Sequence, residues 1–348
     1  MTTQHSVTVS WRPVRVLPRP RIDGFALSLV LVVLVATFLP CQGEAARVFH
    51  ILGIAAIGSL FFIQGARLSR EAVWAGITHW RLHGMVASTT FVIFPLIGLA
   101  LAVAIPAALP PILWLGVLFL CALPSTVQSS IALVSIGRGN IAGAVCTATA
   151  SNIAGMVITP FLFSALVDVE SSTKSSVIDL SGFWQILAEL LAPFVVGHLL
   201  RPYLGRWADR NRSLLAITDR GSILMVVYTA FSAAVLNGVW TLMPPLTLGS
   251  LFAVVAAIFV LVLTILVAWS RGVGFGRPDK IAAILCGTQK SLVSGVPIAS
   301  AMFSGAVVGP LLLPMMVYYL IQLFAGAWLA RRYARDCEST STNGPSCS

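Results

Sequence analysis

Lys290 is the one charged side chain between Ile281 and Ala330. Beside it stand Thr288, Gln289, Ser291 and Ser294, whose oxygens can accept hydrogen bonds from an ammonium. Gly287, Gly295 and Pro297 weaken a helix here, and a weakened helix frees backbone carbonyls as further acceptors. Lys290 lies ten residues past Lys280, where the apolar run begins. At helical rise that is about 15 Å, roughly half the hydrocarbon thickness of a bilayer and far for snorkelling to the headgroups. A Lys at that depth costs roughly 2.5–3.5 kcal/mol, and such residues usually face a bundle interior and mark a substrate or ion pathway. A different chemistry is a Ser–Lys nucleophile pair, with Ser291 or Ser294 beside Lys290. No Gly-x-Ser-x-Gly elbow, paired acids or His partner accompanies it, so an intramembrane hydrolase ranks below a binding or transport site.

A second cluster carries the same residue types. Leu123-Pro124-Ser125-Thr126-Val127-Gln128-Ser129-Ser130 places Ser, Thr and Gln beside a helix breaker, within an apolar run. One such cluster is explained by hydroxyls bonding back to their own helix. Two in corresponding positions point to a transporter binding site. Glu189 is read as the only acid inside a span and as a cation or proton ligand. Asn152 is a helix–helix bonding residue near the same region. His50, His79, His83 and His198 stand near span ends, where solvated interfacial roles fit better than metal binding, and no His-Glu-x-x-His pattern exists.

The elements that must hold these residues are long and apolar. Of 348 residues, 57% are hydrophobic and 10% charged, which excludes an ordinary soluble domain. The net charge of +10 would suggest nucleic acid in a soluble chain. Here it reflects Arg gathered in loops, and no aromatic stacking platform or basic groove is seen. The six Cys show no Cys-x-x-Cys or zinc spacing, so neither a structural disulfide nor a metal cluster is expected. The Arg-bearing N-terminus reads as a tail before an uncleaved first span, because no small-x-small cleavage site follows the apolar run.

Ten spans are expected, at about 24–40, 48–64, 83–104, 112–136, 141–166, 182–200, 221–238, 246–269, 281–303 and 308–330. Segment 66–81, with Trp74 and Trp80, reads as an interfacial helix. Basic segments (the N-terminal tail, 66–81, 137–140, 201–220, 271–280 and 331–335) alternate with loops whose only basic residues are Arg47 and Lys174. That alternation places both termini in the cytoplasm of an inner-membrane protein. Ten spans divide into two fives, and an odd repeat returns from the opposite side, which is an inverted repeat. The chain thus divides into a cytoplasmic tail (1–22), a first five-helix repeat (23–167), an external loop (168–181), a second repeat (182–330) and a cytoplasmic tail (331–348).

With these segments in view, the chain resembles the bile acid:sodium symporter family. More closely, it resembles a divergent branch of bacterial symporter-like proteins and the seventh vertebrate bile-acid-carrier homologue. The resemblance rests on Phe61–Ser69, His79–His83, Leu123–Ser130, Arg138–Asn140, Val227–Ser232 and Cys286–Leu292. It implies an all-α integral membrane protein in which spans 1, 2, 6 and 7 form a panel. Spans 3–5 and 8–10 form a core, with spans 4 and 9 broken and crossing. It further implies a secondary transporter of small organic anions, with Na⁺ as coupling ion and no other cofactor. A non-transporting, ion-homeostasis role is the alternative.

Carried over residue by residue, the sodium pattern fits in part. The family's Ser-Asn pair falls on Ser129 and Ser130, and its span-nine Gln on Gln289. The span-three Gln falls about at Thr90. The span-five hydroxyls fall near Thr147 and Thr149, with Ala144 and Ala148 at the matching register. The acid shared by two ions falls on Leu285, and the neighbouring Asn on Lys290. A carboxylate is lost and a fixed cation gained in one place, so Lys290 is expected to substitute for a coupling ion. Transport is then Na⁺-independent, or proton-coupled if the buried amine releases its proton.

Overall fold

The computed structural model describes residues 24–67, 79–170, 191–238, 244–303 and 305–341. Among them there are helices and no strand, as expected where every backbone N–H in hydrocarbon must find a partner within its own segment. In chain order the helices are α1 (Gly24–Phe38), α2 (Gly43–Arg67), α3 (Trp80–Ala104), α4 (Pro111–Ala122), α5 (Val127–Ile136) and α6 (Ile141–Glu170). Then follow α7 (191–199), α8 (Arg201–Arg210), α9 (Arg212–Leu236), α10 (Pro245–Gly272), α11 (Arg277–Gly287), α12 (Leu292–Met302) and α13 (Gly305–Ser341).

Among the described residues, seven spans are long and apolar enough to cross a membrane: α2, α3, α6, α9, α10, α11 with α12, and α13. The pair α4 and α5, bent by 63° at its break, makes an eighth. Of the helix at the first expected span, Gly24–Phe38 is described, about 22 Å at helical rise. Of the sixth expected span, only 191–199 is described, and Glu189 lies outside the described residues.

Ala66 and Arg67 end α2 and Trp80 and Arg81 begin α3, while residues 68–78 of the expected interfacial segment lie outside the described ones. Two expectations are corrected. Glu189 is not the only acid in a span, because α9 begins at Arg212 and carries Asp219, 4% exposed, in its first half. Gly295 and Pro297 do not break a helix: α12 runs through both, and the break falls at residues 288–291.

Two layers are visible in the packing. α1 and α2 lean mainly on α9, and α8 lies against α2. The other helices gather around α11 and α12, which touch α3, α5, α6, α9, α10 and α13 between them. Every residue from Ile281 to Leu292 is buried. Lipid is as apolar as Leu, so this association rests on close packing and internal hydrogen bonds rather than on a hydrophobic gain. Basic segments meet at one end of the core. Arg81 donates to the Val273 carbonyl (2.7 Å) and Arg277 to the Tyr333 carbonyl (2.6 Å). Asn140 binds Asp279 through its side chain (2.6 Å) and the Pro278 carbonyl through its N–H (2.9 Å).

Candidate functional site: a crossing of two helix breaks

Two helix–break–helix units meet in the core, and they have nearly the same dimensions. α4 and α5 have 12 and 10 residues around the break 123–126, while α11 and α12 have 11 each around the break 288–291. Pro124 supplies no N–H, which helps to end α4. The breaks are bonded to each other: the Ser291 N–H donates to the Pro124 carbonyl (2.9 Å) and Ser125 Oγ to the Cys286 carbonyl (2.7 Å). Ser129 Oγ donates to Gln289 Oε1 (3.1 Å). α6 completes the contact. Ser151 Oγ accepts the Ser125 N–H (3.1 Å), and Thr159 Oγ1 donates to the Ala122 carbonyl (2.9 Å). Gly155 lets α6 reach the break, because a Cβ there would stand 2.4 Å from Pro124 Cβ.

Lys290 sits in this crossing, 1% exposed. Its Nζ donates to three backbone carbonyls: Thr90 (3.0 Å), Cys121 (2.9 Å) and Leu123 (2.6 Å). Three acceptors match the three N–H groups of an ammonium, and a neutral amine offers only two. The face of Phe94 lies 4.0 Å from Nζ, a cation–π contact. None of the three carbonyls has a helical donor, for a reason already in the chain. In α3, residues Thr89–Ile93 form a π turn in which the Phe94 N–H reaches back to Thr89. The next residue is Pro95, so the Thr90 carbonyl is left free. The Ser125 N–H goes to Ser151 rather than to Cys121, and Leu123 is in the extended break. Two of the three acceptors also lie at the C-terminal, negative end of α4, where a cation is favoured. No carboxylate is among the bonded partners, and Leu285, where the resemblance has its shared acid, is fully buried in α11.

The oxygens next to Lys290 in sequence do not receive its ammonium, contrary to expectation. The break turns the side chain away from α11 and α12 and across to α3 and α4. Thr288 Oγ1 instead bonds back to Ile284 (2.9 Å), and the Thr288 carbonyl accepts from Tyr318 (2.7 Å). Ser291 caps α12 by accepting the Ser294 N–H (3.1 Å). Ser291 also donates to Ser294 Oγ, and Ser294 to Asn152 Oδ1. Neither serine is paired with Lys290, so the nucleophile geometry is not formed.

The crossing therefore brings together Thr90, Ser125, Ser129, Asn152, Thr288, Gln289, Lys290, Ser291 and Ser294. Thr90 joins through its carbonyl, while its Oγ1 is buried without a partner. Thr126 is the extended N-cap of α5, without a side-chain capping bond, and Ser130 is buried one turn on. Gln128 is exposed and stands apart. Thr147 pairs with His83 Nδ1 (2.7 Å), which gives His83 a partner in α6 rather than the purely solvated role expected of it. Thr149 is half-buried on α6.

The sequence reading missed Gln322. It is fully buried on α13 and holds the backbone of Lys290 at both ends. Its Oε1 accepts the Lys290 N–H (2.7 Å), and its Nε2 donates to the Lys290 carbonyl (3.0 Å). The available signal was a lone amide in an otherwise apolar span. Phe94 and Tyr318 were also missed; their rings meet edge-on at 6.0 Å beside the ammonium.

Known proteins resemble this chain over nearly its whole length. The description of the SBF-like CPA transporter family (DUF4137) matches residues 23–335. A Pseudomonas aeruginosa protein, PA2026, whose name states no function, is 47% identical over 94% of this chain and 99% of its own. YfeH of Escherichia coli (strain K12), whose name assigns it provisionally to the symporters, is 44% identical over 91% of this chain and 94% of its own. Sodium/bile acid cotransporter 7 of Danio rerio is 29% identical over 89% and 93%.

Proposed function

Because the chain belongs to the SBF-like CPA transporter family (DUF4137), and so to transporters of the bile acid:sodium symporter type, we propose that it is an alternating-access secondary transporter of small organic anions. In it the Lys290 ammonium takes the place of a coupling Na⁺. One observation carries the reading: a tethered cation holds three backbone carbonyls where two helix breaks cross, with no carboxylate among its partners. Carbonyl oxygens are ligands for hard cations, and an ammonium can hold them by donating instead. A bound Na⁺ would have to be acquired and released in each cycle, whereas Lys290 is always present. The organic anion is inferred from the names of relatives that are sodium/bile acid cotransporters.

The proposed architecture is ten helices in two inverted repeats, 23–167 and 182–330. The like dimensions of the two helix–break–helix units support it. The layer of α1, α2 and α9 would be the panel and the helices around α11 and α12 the core. The gathering of Arg81, Arg277 and Asn140 at one end supports a cytoplasmic assignment for that end and for both termini.

The test is uptake into proteoliposomes of a panel of labelled carboxylates and sulfonates, with Na⁺ or choline outside. Saturable uptake that is equal in the two media is expected. Saturable uptake that requires Na⁺ refutes the replacement by Lys290, and no uptake of any anion refutes the substrate class.

A further inference from the structure

We infer that one face of α5 lines a water-filled path from the crossing to the arginine-bearing end of the core, while the equivalent path to the opposite end is sealed by α9. Under the alternating-access reading, on which this rests, the anion enters and leaves along α5 in the present conformation. α5 runs from the break at 123–126 to Ile136, just before Arg138 and Asn140. Its 10 residues rise about 15 Å, roughly half the hydrocarbon thickness. Gln128, Ala132 and Ser135 are exposed on it, and at helical pitch they fall within about 60° of one another. The other side, with Ser130, Leu133 and Val134, is buried.

The chemistry of that face is wrong for lipid. The exposed face of α10 carries Phe252, Val260, Leu261 and Ile265. Before Ile136 at its last position, the exposed face of α5 carries an amide, a methyl and a hydroxyl. Gln128 stands beside the break, at the depth of the crossing, where polar side chains face a bundle interior or a water-filled cavity. Its amide and the Ser135 hydroxyl can donate to the oxygens of a passing carboxylate or sulfonate.

The second helix–break–helix unit provides an internal comparison. α11 and α12 form one span, so α12 leads from its break to the opposite end. Gln128, Ala132 and Ser135 correspond by position to Val293, Pro297 and Ser300. Pro297 is buried, the other two are half-buried, and no residue of α12 is exposed. Ser300 Oγ bonds back to the Val296 carbonyl (3.0 Å), as a hydroxyl does away from water. Inverted repeats make the two half-helices equivalent, so a difference in their exposure marks which side is open. What covers α12 is α9, which packs on both α12 and α13. The fit is close: a Cβ at Gly309 would stand 2.6 Å from Ala234 Cβ and 3.1 Å from the Ala230 carbonyl oxygen. No anion passes between layers in such contact.

The experiment adds single cysteines to the full chain in sealed membrane vesicles. A charged, membrane-impermeant methanethiosulfonate is supplied on one side, and adducts above wild type are counted by intact mass. Arg335→Cys, exposed at the arginine-bearing end, reports which side that end faces. Gln128→Cys, Ala132→Cys and Ser135→Cys are expected to react from that same side. Their rate should be about ten-fold that of the lipid-facing Val260→Cys, because the reactive thiolate forms in water. Ser300→Cys should react from neither side. Gly309→Ala should wedge α9 from α13, slow Gln128→Cys about three-fold and admit reagent to Ser300→Cys from the opposite side. Reaction of the α5 cysteines no faster than Val260→Cys, or from the side opposite to Arg335→Cys, overturns the path. Rapid reaction of Ser300→Cys in the otherwise unaltered chain, or no effect of a folded Gly309→Ala, overturns the seal. Labelling measures access rather than uptake, so its failure is distinguishable from failure of the transport reading.

Discussion

Replacing Lys290 by Ala should turn a sodium-indifferent protein into a sodium-stabilised one. The substitution removes three donors and leaves the carbonyls of Thr90, Cys121 and Leu123 facing a vacated space. At about 1–3 kcal/mol for each orphaned acceptor, the loss is about 3–9 kcal/mol. Removing a desolvated cation returns several kcal/mol, so a net loss of about 2–4 kcal/mol is expected. The vacated space is lined by oxygens, the ligands Na⁺ prefers. An ion bound at 100 times its dissociation constant returns about 2.7 kcal/mol. At about 2 °C per kcal/mol for a chain of this size, that is a rise in Tm of about 5 °C. The assay is thermal unfolding of purified protein in detergent, with NaCl exchanged for choline chloride at constant ionic strength. Wild type should show no difference between the salts. Lys290→Met, which fills the space with an apolar chain, should not be rescued either. The reasoning fails if Na⁺ stabilises wild type and Lys290→Ala alike, or if Lys290→Ala is indifferent to Na⁺.

Gln322→Leu removes both bonds to the Lys290 backbone and leaves that N–H and carbonyl buried without partners. A loss of about 2–4 kcal/mol is expected, read as a fall in Tm, with Gln322→Glu intermediate because it keeps the acceptor. Pro95→Ala restores an N–H that can reach the Thr90 carbonyl. It should change wild type by less than about 1 kcal/mol but recover about 1–2 kcal/mol in Lys290→Met, where that carbonyl is otherwise orphaned. Equal effects in the two backgrounds, measured by thermal unfolding in a double-mutant cycle, would show that Pro95 does not act through Thr90.

Much of the fold was legible because hydrocarbon imposes a coarse rule. A charge-free run near 20 residues must become a helix, and a Pro beside Ser and Thr inside such a run marks where it breaks. The break after Ala122 is therefore written locally, in Pro124. The break after Gly287 was legible in part. Gly287 does end α11, but Gly295 and Pro297, read as weakening the helix with it, lie inside α12, and Gly295 instead admits Met315 and Leu123 at close range. Asp219 was missed as an acid inside a helix because hydropathy fades gradually along 212–220 while the helix does not.

The site divides in the same way. From its own sequence, Lys290 is a lone charge deep in an apolar run, and that alone marks the region as costly and functional. The types of its neighbours suggested that Thr288, Gln289, Ser291 and Ser294 would hold the ammonium. Only the tertiary structure decided otherwise, by turning the side chain across to carbonyls of Thr90, Cys121 and Leu123, the farthest of them 200 positions away in the chain. Those acceptors are backbone atoms, which every residue carries, so no residue type announces them. What frees them is the missing N–H of Pro95, the turn of the Ser125 N–H to Ser151 and the extended break at Leu123, and what aims Lys290 at them is the pairing of two breaks. Side-chain chemistry is written in the sequence, but which carbonyls lack a donor is settled only when the helices are packed.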